Sequence, residues 1–387
     1  MKKTLVALAA LAATASFAQS SVTITGNLDF AYSNTTGTSL TNNGTTFATT
    51  TGTGSTSVIN LDAIEDLGGG MKATVHYGLD PRTLANDGLG VTNAKTNVTS
   101  DGTAVSNGAV IGTTTGANTV TGLGRDEVFI GLSGGFGNLR LGSPNSISLN
   151  THQVASPLGT GIGSGYAQIS QLSAVTTRFN RSVRYDSPVM SGFSVSALYA
   201  PGDDTAATAT NAAVALGIPN NRNVTEVALA YANGPLNVQA ANISQAAQTN
   251  ATGFYSSATL ANSAKTSSNM LSANYTIGAT TLYAGFINGD AIAASATPST
   301  VKSSRVAIKH TMGAVAVIVQ AQDLTTTTSN GSETKATLSG ARVDYSFSKT
   351  TVAYLGYQKY DSGAAYSTSA LTGGDNTTVS IGLRKSF

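Results

Sequence analysis

The chain has 387 residues, no cysteine, 21 lysines and arginines against 19 acids, and only 10% charged residues. That balance excludes a partner recognised by bulk positive charge, such as nucleic acid, and the missing cysteines exclude a disulfide framework. Hydrophobic residues make up 41%, yet after residue 18 no apolar run approaches the ~20 residues of a membrane helix.

In chain order, the first element is MKKTLVALAALAATASFA. Lys2 and Lys3 form a basic head, Leu5 to Ala15 an apolar run, and Ser16-Phe17-Ala18 a small-residue end. This is a secretory signal, too short for a membrane span, with cleavage expected after Ala18. Residues 19–387 then form the mature chain. Without Lys2 and Lys3 the 21 basic residues fall to 19, equal to the 19 acids.

From Ser21 the sequence alternates. Val22, Ile24, Leu28, Phe30 and Tyr32 share one parity, and Thr23, Thr25, Asn27, Asp29 and Ala31 the other. Successive side chains of a strand point to opposite faces, so one face is oily and the other polar. The pattern returns at Met71–Asp80, Ser182–Asp186, Arg305–Lys309, Ala341–Phe347 and Val379–Arg384. Helical period is nowhere sustained after the leader.

The connectors alternate in length. Tight turns are expected at 68–70, 134–137, 191–192, 233–235, 277–278, 312–313 and 348–350. Long Thr, Ser, Asn and Gly-rich loops fall at about 34–53, 81–124, 144–180, 201–222, 245–265, 289–302, 324–334 and 361–375. Seven turns and eight loops imply sixteen strands. Short turns at one rim and long loops at the other are the pattern of an all-β, sixteen-stranded antiparallel transmembrane β-barrel of the outer membrane, with extracellular loops and periplasmic turns. The oily parity then faces lipid and the polar parity a water-filled lumen.

Five stretches carry a family resemblance: QSSVTITGNLDFAYS, EDLGGGMKA, FIGLSGGFGNLRLG, VRYDSPVMSGFSVSALY and the terminal VSIGLRKSF. They resemble the general-diffusion porins of Gram-negative bacteria, especially the betaproteobacterial type. The resemblance implies a homotrimer whose third loop, about 144–180, folds into the lumen. It implies a channel for passive diffusion of ions and small hydrophilic solutes, in contact with membrane lipid and lipopolysaccharide. Phe387 is similar to the family's C-terminal aromatic, which implies recognition by the outer-membrane assembly machinery. Lys385 departs from the pattern, but a lysine near the interface can snorkel.

Related porins set acids on the inward loop against a ladder of basic residues on the wall. Here the third loop holds no Asp, Glu or Lys, and its charge is Arg178. Where relatives commonly carry Arg, this chain offers Val58, Asp62 and Ser143. Parity leaves Asp29, Asp62, Lys72, His76, Arg140, Arg184, Arg305, Lys309, Arg342 and Arg384 as lumen candidates beside Arg178. The basic ones predominate, so a weak anion preference is expected. Each arginine could equally serve a structural ion pair, as Arg342 with Asp344.

No enzyme, cofactor or metal centre is expected. His76, His152 and His310 are scattered without ligand spacing, GIGSGYA lacks the strand-to-helix setting of a phosphate loop, and Ser148, His152 and Ser156 lie in a stretch rich in serine by composition. The alternatives are a substrate-specific channel, against which the absence of tryptophan weighs, or an outer-membrane adhesin or lipase.

Overall fold

The computed structural model describes residues 20–37, 44–48, 57–79, 97–98, 104–106, 109–111, 126–164, 177–202, 223–246, 265–290, 299–328, 330–362 and 375–387. The expected leader, most of the second long loop and residues 165–176 of the third lie outside this set.

The strands are β1 (Ser21–Gly37), β2 (Gly44–Ala48), β3 (Val58–Gly68), β4 (Met71–Leu79), β5 (Asn97–Val98), β6 (Ala104–Ser106), β7 (Ala109–Ile111), β8 (Val128–Gly134), β9 (Gly137–Ser143) and β10 (Ser182–Asp186). There follow β11 (Phe193–Ala200), β12 (Val224–Asn233), β13 (Leu236–Gln245), β14 (Thr266–Ile277), β15 (Thr280–Asp290), β16 (Thr300–Met312), β17 (Val315–Thr327), β18 (Glu333–Ser348), β19 (Thr351–Ser362) and β20 (Asn376–Ser386). Among the described residues a helix, α1 (Ile147–Val154), lies in the third loop.

Sixteen strands close a barrel of antiparallel neighbours: β1, β3, β4 and β8 to β20, with β20 pairing back onto β1 from Asn27↔Ser386 to Gly37↔Asn376. Closure leaves no open edge, which lipid requires because it offers no hydrogen bonds. All seven expected turns join adjacent strands at one rim. At Gly278 and Gly313 φ is +58° and +60°, with open space where a Cβ would sit, so conformation rather than crowding selects glycine there.

Several elements depart from the sequence reading, among them the small β5-β6-β7 sheet inside the expected loop 81–124. β2, inside the expected loop 34–53, pairs with the loop end of β1 at Ala31–Thr35 while β3 pairs with Ser21–Asn27. β17 and β18 run into the expected loop 324–334, shortening it. α1 escapes notice because eight residues make only two turns, too few for a periodic signal.

The outward face is apolar across most of the barrel height. One register row reads Ile308, Val319, Ala341 and Tyr357 across β16 to β19. Toward the loop rim the same parity becomes Ser304, Asp323, Thr337 and Asp361, then Lys302, Thr325 and Lys335. At that height the inward parity instead carries the buried Val301, Leu324, Ala336, Leu338 and Tyr360. This inversion marks the upper edge of the apolar band. Above it the sheet behaves as in water, with its oily face turned in.

Candidate pore constriction

The third loop turns into the barrel after β9. Its base is closed by the Ser146 amide donating to the Thr177 carbonyl at 2.8 Å and by a bridge between Asn145 and Arg178. Ser146 caps α1, its Oγ accepting from the Leu149 amide at 3.0 Å. The helix packs against β11 to β15, where Ile147 and Leu149 join Leu198, Val224, Ile243, Met270 and Ile287 in one buried cluster. The inward parity of these strands is therefore partly apolar. The expectation that this parity meets water throughout fails here, because the loop covers it.

Glu226 on β12, 1% exposed, holds the helix start. Its carboxylate accepts from the amides of Ile147 at 2.6 Å and Ser148 at 3.3 Å, and from the Ser148 hydroxyl at 2.5 Å. First-turn amides have no partner inside a helix, and a carboxylate also meets the positive end of the helix dipole. At the other end the Asn274 side-chain amide donates to the Val154 carbonyl at 2.9 Å. Just beyond, Ala155 sits over Gly285 on β15, where a Cβ would lie 2.7 Å from the alanine's own. The wall thus carries a pin at Glu226 and a notch at Gly285. Sequence reasoning missed both. Their signals were a lone acid between Val224 and Ala228, and a glycine on the inward parity of a strand.

Arg184, Arg305 and Arg342, expected among the pore-lining residues, lie beneath this loop at 6%, 4% and 3% exposure. Arg184 donates to the Asn145 carbonyl at 2.6 Å and to Asn150 at 2.5 Å, and pairs with Asp186 at 2.9 Å. Arg342 donates to the Ile162 carbonyl at 2.8 Å, pairs with Asp344 at 2.6 Å and lies 3.8 Å above the Tyr354 ring. Arg305 donates to Gln322 at 2.5 and 2.9 Å, to the Ser164 carbonyl at 2.9 Å and toward His152 Nε2 at 3.3 Å. The correction has a physical cause. The seated part of the loop leaves its carbonyls to be satisfied in a buried place, and guanidinium forks on the wall satisfy them.

Burial first, and the Arg305 charge second, hold the His152 imidazole well below its ordinary value. The neutral ring can accept from Arg305, as the geometry requires. Ser148 donates to Glu226 and Ser156 to the Gly159 carbonyl, so neither hydroxyl is directed at His152.

The wall from β1 through β9 carries a different set. Asp62 meets His76 at 2.7 Å, the His76 ring stacks on Phe129 at 4.9 Å, and the Arg140 guanidinium lies 5.5 Å from the centre of the same Phe129 ring. Arg140 also pairs with Asp186, and with Glu127 at 3.8 Å. Arg178 pairs with Asp126 at 2.7 Å near the loop rim. Asp29, 1% exposed, accepts from the Tyr354 hydroxyl at 2.6 Å and is the register partner of Arg384. Lys72 on β4 and Lys309 on β16, both toward the turn rim, make no ion pair among the described residues. Sequence reasoning did not single out Asp126, Glu127 or Asp186, the acids that balance this wall.

Phe387 closes the barrel seam, exchanging two backbone hydrogen bonds with Gly26 at 2.9 and 3.0 Å. Its ring occupies the outward space that a Cβ on Gly26 would need, a lipid-side filling of a glycine gap.

The sequence profile of the Gram-negative porin family matches residues 4–365. The major outer membrane protein P.IB of Neisseria lactamica is 41% identical over 106 residues, 27% of this chain and 31% of that protein. The P.IB of Neisseria gonorrhoeae is 39% identical over 107 residues. These alignments span about a third of the length of the curated relatives. Among solved structures, the anion-selective porin from Comamonas acidovorans superposes with a TM-score of 0.67 over 95% of this chain and all of that one, at 20% identity. OmpT of Vibrio cholerae in its trimer form gives 0.60 over 95% and 99%, at 15% identity. With its strands closed into sixteen and the family profile covering nearly its whole length, the chain belongs to the Gram-negative porins, barrels of the outer membrane.

Proposed function

We propose that the chain forms a water-filled channel for passive diffusion of ions and small hydrophilic solutes, with a weak anion preference. The observation that carries this reading is the lining left beside the seated loop. Asp126, Glu127 and Asp186 each face an arginine and Asp62 faces His76, while Lys72 and Lys309 pair with no acid among the described residues. Paired charges cancel at short range, and a few unpaired cations bias local ion concentration modestly. The Comamonas neighbour, anion-selective by its description, and the trimeric Vibrio form support a channel assembled as a homotrimer. Lipopolysaccharide would meet the charged outward rows above the apolar band, and cleavage after Ala18 would release the mature barrel.

Purified protein in a planar bilayer, under a potassium chloride gradient, tests the reading. It should conduct steadily, with a reversal potential slightly toward chloride. A protein that inserts without conducting overturns the channel, and a clear potassium preference overturns the sign. Phe387 is proposed to guide assembly as well as seal the seam. Its deletion should lower the amount of heat-modifiable trimer in the outer membrane more than it lowers synthesis.

A further inference from the structure

We propose that the seated third loop sets ion selectivity by shielding the wall arginines, Arg305 above all, and that Gly285 and Glu226 are the positioning residues for that shield. The inference rests on the channel reading. Arg184 and Arg342 each have a carboxylate two residues along their own strand, in Asp186 and Asp344. Exposing either would present the lumen with a nearly neutral pair. Arg305 differs. Its hydrogen-bond partners are Gln322, the Ser164 carbonyl and His152, so its charge is solvated by neutral groups and countered by no carboxylate among the described residues. Two of those bonds go to Gln322 on the wall, and the other two go to the Ser164 carbonyl and the His152 imidazole of the loop.

The seating devices converge on this arginine. Gly285 is its register partner on the neighbouring strand, and Ala155 fills the gap that glycine leaves. His152 lies one helical turn before Ala155. Glu226 fixes the opposite end of α1. The loop they hold carries no Asp, Glu or Lys of its own. Its own Arg178 is paired with Asp126 at the loop base, so the loop separates a full positive charge from the lumen without substituting another uncompensated one. A cation brought from a covered site to an aqueous wall acts on ions within about 10 Å at 0.1 M salt, a span comparable to a narrowed pore.

Gly285→Leu places a branched side chain where Ala155 sits and should unseat the helix end. Expected in the bilayer are a higher single-channel conductance and a chloride-to-potassium permeability ratio raised on the order of twofold. Gly285→Leu with Arg305→Gln should keep the higher conductance and return the ratio to that of the unmodified protein. Arg305→Gln alone, with the loop seated, should leave the ratio nearly unchanged. Glu226→Ala, on another strand, is the parallel route if the leucine variant does not yield folded trimer. Conductance that rises with an unchanged ratio overturns the shielding, and a shift that survives Arg305→Gln overturns the assignment to Arg305. Failure of the unmodified protein to conduct would sink the channel reading instead.

Discussion

Two arcs of one lumen wall, drawn from the same residue types on the same parity, meet opposite electrostatic fates. From β10 to β18 the inward arginines lie under the third loop, and their donors are taken up by loop carbonyls and strand carboxylates. From β3 to β9 the inward charges stay 13–27% exposed, as at His76, Arg140, Glu127 and Asp62. The difference lies in what is laid over the strands. A basic residue under the cover contributes to holding the loop, and one outside it contributes to the field in the pore.

The largest effect that would sharpen this contrast is on stability. Arg342→Gln leaves Asp344 and the Ile162 carbonyl buried without their cation. Removing one partner of a buried ion pair costs about 3–5 kcal/mol, so the barrel should unfold at a clearly lower temperature on heating, with little change in reversal potential. The outcome that breaks the comparison is the reverse, a normal heat transition with a displaced potential.

The open arc should respond in the opposite way. Lys72→Gln removes an exposed cation near the turn rim, where the stability cost is within roughly 0.5 kcal/mol. The permeability ratio should move toward potassium by about one and a half-fold, while heat stability stays put. A lowered transition without a change in ratio would mean that Lys72 belongs with the structural arginines.

The barrel was legible because its signal is repeated: outward apolar parity, seven turns and eight loops all point to one closed sheet. Parity also assigned Asp62, His76 and Arg140 to the lumen side. It could not tell Arg305 from Lys309, which lie on one strand and one parity, because it reports the side a residue faces and not what covers that side. The cover comes from a loop whose helix is two turns long. That helix is specified by contacts far away in the chain: Ile147 to Glu226 is 79 residues, and Ala155 to Gly285 is 130. Its local mark was Ser146 alone. The lone inward acid at Glu226 and the inward apolar residues Leu198, Ile243 and Met270 were the readable traces of a docking site, since an open aqueous wall has no use for either.

The smallest expected effect concerns pH, and it follows from His152. Its value is held well below the ordinary 6.5 while the loop is seated, by burial and then by Arg305. An unseated ring regains its ordinary affinity, so a proton binds the unseated state more tightly. Seating is thus at full strength above about pH 6.5 and weakens as pH falls below it, by up to about 1.4 kcal/mol per unit until the depressed value is reached. Arg305 and the Gly159 backbone, which favours the proton, bear on the ring, and Ser272, Ser303 and Gln322 line the same cavity. Between pH 7 and 5 the chloride preference should rise by some tens of percent, about the size expected when a minor unseated population grows. His76 is a second imidazole, on the open arc, so the measurement belongs in a His76→Gln background. There His152→Gln, which keeps an acceptor for Arg305, should flatten the profile. A rise that persists without either histidine would assign it to the carboxylates of the open arc and remove His152 from the account.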